Sequence, residues 1–209
     1  QEGDVEAAFL LGKRLLAVRG SAMEGVEYLK EAAKKRHLQA CEILGSTFLY
    51  GEGGVPQDKR QAMVYYEQAQ ALGSVTARTR LIDLYLDSED KAERGLQLLT
   101  DAADAGDRKA AARAARLYLT GEVRGVDLER AAKYALISDD SAVLFETAEK
   151  LDLLDTNEAL RDEMYQKLLA KDREGAQLGI SACLALGELY RRGKGTKADG
   201  RSAERLFLR

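Results

Sequence analysis

The chain has 209 residues, 45% of them hydrophobic and 32% charged, and its 32 Lys and Arg against 35 Asp and Glu leave a formal net charge of −3. That length buries a sizeable core, and no apolar run approaches the roughly 18 residues that a membrane-spanning helix needs. The slight acidity argues against nucleic acid as a ligand, because phosphate binding draws on clustered Lys and Arg that release counterions.

Along the chain one pattern returns: a small residue or Leu, an aromatic a few residues on, a turn, then a second Ala-rich segment. The first copy, 5–37, runs through Ala8, Leu11, Gly12 and Leu15 to Gly25, Tyr28, Ala32 and Ala33. The second, 38–74, is the clearest. Ala40, Leu44, Gly45 and Phe48 open a helix, 51–58 breaks it, and Ala62, Tyr65, Tyr66, Ala69 and Gly73 mark another. The third, 75–107, has Ala77, Leu81 and Tyr85, a shorter turn without glycine, then Gly95, Leu98, Ala102, Ala103 and Gly106. The fourth, 108–140, carries Ala110, Ala114, Ala115 and Tyr118, a turn at 121–127, then Ala131 and Tyr134. The fifth, 141–178, is degenerate: it reads as helices over Ala142–Leu153 and Glu158–Lys171, with Thr156 or Asn157 as N-cap and Met164, Tyr165, Leu168 and Leu169 in place of the Ala stripe. The sixth, 179–209, has Ala182, Leu186, Gly187, Tyr190, Gly193, Gly195, Asp199 and Ala203 and is incomplete.

The anchors Leu11, Leu44, Leu81, Ala114 and Leu186 are separated by 33, 37, 33 and 72 positions, the last being two repeats. Such a period marks stacked repeats. The spacings Ala40, Leu44, Phe48 and Ala62, Tyr65, Ala69 each fit one helix face and not the alternation of a strand. The small residues let helices approach closely while aromatics fill the space between layers. These features predict an all-α fold, a right-handed superhelical α-solenoid of about six helix-turn-helix repeats forming one domain over 1–209.

The string from Leu44 to Ala69, L-G-x-x-F-x-x-G-x-G-x-V-P-x-D-x-x-x-A-x-x-Y-Y-x-x-A, resembles the Sel-one-like repeat, a relative of the tetratricopeptide repeat with a longer, glycine-containing turn. The resemblance is strong at repeats two, four and six and weak at three and five. It implies a bacterial scaffold or adaptor that binds a partner protein through its concave face, in an envelope, secretion or exopolysaccharide-export assembly, in host-cell interaction, or as an immunity protein that clamps a toxin.

Gln1 is no initiator and no signal segment precedes it, so a targeting peptide is expected to have been removed or to lie outside this sequence. A periplasmic or exported location is expected ahead of a cytoplasmic one. The sixth repeat stops at Leu206-Phe207-Leu208-Arg209, inside its second helix, so further chain or a partner is expected to cover that end.

Catalytic chemistry finds little support. His37, the single histidine, lies in the basic run 34–37 at a helix end, and no second His or Cys stands at ligand spacing, so neither a metal site nor a cofactor is expected. Cys41 and Cys183 hold equivalent places in repeats two and six and read as small core residues rather than a disulfide or reactive thiols. The string 193–196 lacks the upstream glycine of a phosphate-binding loop and reads as a turn between helices. The acidic pairs Glu89-Asp90, Asp139-Asp140, Asp152 with Asp155, and Asp162-Glu163 form no calcium loop and read as solvated surface or helix N-terminal charge. An enzyme is not expected.

Recognition remains. The first helices of such a stack are expected to line the concave face, through residues outside the packing stripe. These are Lys13 and Arg14; Glu42, Ser46, Thr47, Leu49 and Tyr50; Thr79, Asp83 and Leu86; Arg113, Arg116 and Leu119; and Glu188, Arg191 and Arg192. The candidate partner-binding set is Arg14, Tyr50, Asp83, Arg113, Arg116, Glu188, Arg191 and Arg192. Basic residues in repeats four and six suit an acidic or mixed protein segment; an anionic polysaccharide read by Arg113, Arg116, Arg191 and Arg192 is the alternative. Tyr50 reads either as a partner anchor or as a side chain packed on the adjacent turn.

Overall fold

The computed structural model describes residues 2–18, 20–173 and 179–208. Among them are twelve α-helices, one short 3-10 helix and no strand, an all-α solenoid. The last residues of the fifth repeat, 174–178, and Arg209 of the sixth lie outside the described residues. The chain divides into two compact units, Gln1–Gly95 and Leu96–Arg209, where the repeat period by itself reads as one run. In a stack each repeat touches only its neighbours, so compactness is a local property.

In the first unit α1 (Glu2–Leu16) pairs with α2 (Ala22–Lys34) and α3 (Leu38–Tyr50) with α4 (Lys59–Ala71), followed by α5 (Val75–Leu86) and the start of α6 (Ala92–Asp104). In the second, α7 (Arg108–Thr120) pairs with α8 (Leu128–Ser138), α9 (Ser141–Leu153) with α10 (Glu158–Arg173), and α11 (Ile180–Arg192) with α12 (Gly200–Phe207). Successive first helices touch within each unit: α3 with α5, α7 with α9, and α9 with α11.

The register is set by caps. The first helices begin after His37, Ser74, Asp107, Asp140 and Gly179, each seven positions before the anchor of its repeat. His37 Nδ1 accepts the Ala40 N–H, Ser74 Oγ that of Ala77, and the Asp107 and Asp140 carboxylates two N–H groups each. Each bond satisfies a donor that the helix cannot. His37 is thereby accounted for: its ring stacks on Phe9 at 4.3 Å, and its Nε2 lies 3.2 Å from Glu6 Oε2. The same caps place Thr147 at the anchor of repeat five, the position that sequence spacing left blank.

The three glycine turns share one construction. Gly51, Gly121 and Gly193 end their first helices in the left-handed conformation, at φ 72°, 77° and 69°. A side chain is strained there. The turn closes when the N–H of Asp58, Asp127 or Asp199 donates to the carbonyl of Phe48, Tyr118 or Tyr190 at 2.8, 2.9 and 2.8 Å. Each Asp then accepts from the opening N–H groups of the second helix. Repeats three and five cross more directly, at 87–91 and 154–157. Asn157 Oδ1, 3.5 Å from the Leu160 N, caps α10, one of the two residues expected there.

The stripes read from sequence form the core. Ala40, Leu44, Ala62, Ala69, Ala114 and Ala131 are fully buried, Phe48 stacks on Tyr65 at 5.7 Å, and Tyr118 stacks on Tyr134 at 5.8 Å. In repeat five Met164, Tyr165, Leu168 and Leu169 fill the equivalent space and are buried. Cys41 and Cys183 are buried too, and burial pushes the Cys41 thiol pKa up.

A candidate partner-binding face on the first helices

Counting from each anchor shows which first-helix side chains face outward. The residue two positions on is Lys13, Ser46, Asp83, Arg116, Glu149 or Glu188, and none is buried. The residue six positions on is Ala17, Tyr50, Asp87, Thr120, Leu153 or Arg192, and all are exposed, Tyr50 at 52%. The residue three positions on turns inward at Thr47, Leu84 and Leu189, which are buried. Thr47 therefore does not line the face as expected: it is completely enclosed, because its place on the helix points at the core. Arg14 occupies that same inward place in α1, where its side chain is exposed.

The predicted residues fall into both units. Arg14, Tyr50 and Asp83 belong to three separate helices of Gln1–Gly95. Arg113, Arg116, Glu188, Arg191 and Arg192 belong to Leu96–Arg209, on α7 and α11. Glu188 draws the last two together, with Arg191 Nη2 at 2.6 Å and Arg192 Nε at 2.9 Å.

Between α7 and α11 lies α9, whose contribution the sequence reading missed. Glu146 lies 3.6 Å from Arg116 Nε, and Glu149 accepts from Arg192 Nη1 at 3.1 Å and from Lys194 Nζ at 2.7 Å. Asp152 accepts from the same Lys194 at 2.6 Å and from Arg161 at 3.3 Å. The expected basic lining of repeats four and six is thus matched by carboxylates from the degenerate repeat between them. A sequence signal existed: Glu146, Glu149 and Asp152 fall three apart, on one helix face, in register with the arginines. The 193–196 string, weighed as a phosphate loop, is the turn after α11, and its lysine is committed to these two acids.

Electrostatics follow the geometry. The hydrogen bond from Lys194 holds the Asp152 carboxyl below its ordinary pKa, and that from Arg191 does the same for Glu188. Burial works against the Lys194 charge, but its bonds to Asp152 and Glu149 outweigh it and raise the pKa. An opening of about 470 Å³ lies here among Phe145, Leu153, Arg192 and Lys194. Beside it the face carries apolar surface, with Leu153 77% and Leu184 51% exposed. Among the described residues no group of three or more His, Cys, Asp and Glu is placed to hold a metal ion, and no helix is long and apolar enough to cross a membrane.

Solved structures share this architecture. A protective antigen present in uropathogenic Escherichia coli strains, displaying an SLR fold, superposes with a TM-score of 0.59 at 20% identity over 98% of this chain. The chain spans only 45% of that protein. A Sel1 repeat protein from Oxalobacter formigenes gives 0.51 at 19% identity, over 98% of this chain and 84% of that one. Both likenesses are of fold. A comparison with curated proteins returned no match. The Sel1 repeat profile matches residues 5–37, 38–74, 108–138 and 180–209, which include all three glycine turns and more than half of the sequence. By these matched repeats, with their caps and glycine turns formed as the pattern requires, the chain belongs to the Sel1 repeat family.

Proposed function

We propose that the protein is a non-catalytic scaffold that holds a partner protein against the first-helix face of the unit Leu96–Arg209. Sel1 repeat proteins mediate protein–protein interaction, which sets the class of function. The observation that carries the reading to this face is the row Arg116, Glu149 and Glu188, which presents charge of both signs across three successive helices beside the exposed Leu153 and Leu184. Such a mosaic suits a protein segment that carries both charges and an apolar anchor. An anionic polysaccharide is the less favoured ligand, since it would have to displace the carboxylates that already face Arg116, Arg191 and Arg192. From the family resemblance we further propose a role in a bacterial envelope, secretion or exopolysaccharide-export assembly, or in toxin immunity, with a periplasmic or exported location ahead of a cytoplasmic one.

Affinity capture from the source organism tests it, with two variants that separate folding from recognition. Arg116→Glu opposes Glu146, whereas Arg116→Glu with Glu146→Arg restores the pair in reverse. A partner held by the wild type and lost from the folded double variant supports the assignment. Retention of the same protein by both variants would sink it, and cell fractionation tests the compartment.

A further inference from the structure

The helices α7, α9 and α11 carry four carboxylates between them, and each already meets a cation. Glu146 faces Arg116, Glu149 faces Arg192 and Lys194, Asp152 faces Lys194 and Arg161, and Glu188 faces Arg191 and Arg192. The reverse does not hold. Lys150 of α9 lines the opening of about 470 Å³ together with Phe145 and Leu153, and among the described residues no carboxylate lies within ion-pair distance of it.

The cause is local. Glu146 stands four positions before Lys150, the helical spacing at which a Glu and a Lys ordinarily pair, but it turns to Arg116 at 3.6 Å. In the other direction the neighbours one turn away are Leu153 and Leu154, which offer no charge. Lys150 also stands three positions after the repeat-five anchor, where repeats two, three and six have the enclosed side chains Thr47, Leu84 and Leu189. An ammonium cannot be enclosed there without a counter-charge, so Lys150 stays half-buried along the opening. A carboxylate brought to such a partly desolvated, unpaired ammonium gains more than one brought to a fully solvated lysine.

We propose that this opening receives an acidic side chain of the partner protein, an Asp or Glu against Lys150, with an apolar residue beside it against Leu153. Leu153 is 77% exposed and lies one helical turn from Lys150, so the two partner residues stand roughly 5–6 Å apart. Positions two apart in an extended segment, or one turn apart in a helix, meet that spacing. Charge complementarity of this kind, which rests on the scaffold reading above, narrows the segments that the face admits to those carrying an acidic and apolar pair.

A random peptide library, displayed multivalently within a loop of a carrier protein so that no free carboxyl terminus competes, is selected on the immobilised full chain. The expected result is enrichment of peptides with an Asp or Glu and an aliphatic residue or Phe at one of those spacings. A synthetic copy with blocked ends should bind with a dissociation constant of about 0.1–1 mM and shift the amides of Phe145, Lys150 and Leu153. Binding should weaken at least about tenfold for Lys150→Glu and for the peptide whose acid is replaced by its amide, and persist in Lys150→Arg, which keeps the charge. Melting temperatures of both variants separate folding from binding, and the amide peptide decides by itself if Lys150→Glu does not fold. Enriched peptides without an acid, equal binding of the amide peptide, or equal binding by a folded Lys150→Glu overturns the inference. Shifts at Arg116 and Glu188 without one at Lys150 do the same but leave the scaffold reading in place. Enrichment of nothing, or of peptides that shift no residue of α7, α9 or α11, removes both.

Discussion

Repeat five and the two repeats that flank it solve one packing problem differently. Repeats four and six let helices approach through alanine, end the first helix with a left-handed glycine, and close the turn with an Asp that both donates to the first helix and caps the second. Repeat five keeps one such alanine, Ala148, but has neither the left-handed glycine nor the Asp that closes the turn. It fills the interior with Met164, Tyr165, Leu168 and Leu169, crosses at 154–157, and replaces the glycine before its cap with Asp139, a non-glycine residue at φ 55° whose carboxylate lies 3.0 Å from Lys171 and 3.5 Å from Lys167. The difference teaches that a helix pair can lose its sequence signature while keeping its place, provided that volume and polar satisfaction are restored by other residues. It also teaches where the surface changes, because the divergent repeat supplies Glu146, Glu149 and Asp152 to the first-helix face.

The comparison can be broken first at its core. Leu168→Ala should destabilise the protein by about 3 kcal/mol, since a completely buried Leu leaves a cavity where repeat five has no glycine-turn staple to compensate. Ala135→Gly in the matching helix of repeat four should cost only about 1 kcal/mol. Equal losses in urea denaturation would show that the two repeats do not differ in what holds them. Gly121→Ala comes next, at about 2 kcal/mol, because it places a Cβ at positive φ and 2.6 Å from the Val126 nitrogen. A melting temperature unchanged by that substitution would remove the argument that the glycine turn is a conformational requirement.

Asp127→Ala should cost about 1 kcal/mol through loss of the α8 cap, read in the same denaturation series. Lys194→Met should cost under about 1 kcal/mol near neutrality, since its ion pairs are partly solvated. Its signature is in the pH dependence. Asp152 and Glu188 have pKa values lowered from 3.8 and 4.5, so their contribution is present above those ordinary values and disappears as pH falls through the folded ones. Lys194, raised from 10.5, contributes fully below that value and loses its share only as pH rises beyond it. Comparing urea midpoints at about pH 7 and about pH 3 should therefore show a smaller acid loss in Lys194→Met than in the wild type. The same acid loss in both would mean that the ladder across α9 and α11 adds nothing to stability.

The sequence by itself determined the helix pairs, their order and most of their boundaries, because a period near 35 residues, helical spacing of small and aromatic residues, and Gly and Asp at turns are all local statements about backbone and burial. It also located repeat five as the divergent element and identified the side chains that fill it. Only the tertiary structure decided which charges meet. Arg116, Arg191 and Arg192 were legible as exposed residues of their helices, and Glu188 stands at helical spacing from the last two, but Glu146 and Glu149, which meet Arg116 and Arg192, come from a helix about one repeat away, and no periodicity within a helix states what its neighbour presents. Thr47 was misplaced for a related reason: one step of about 100° around a helix separates surface from core, and the orientation of that circle is set by the repeats packed on either side.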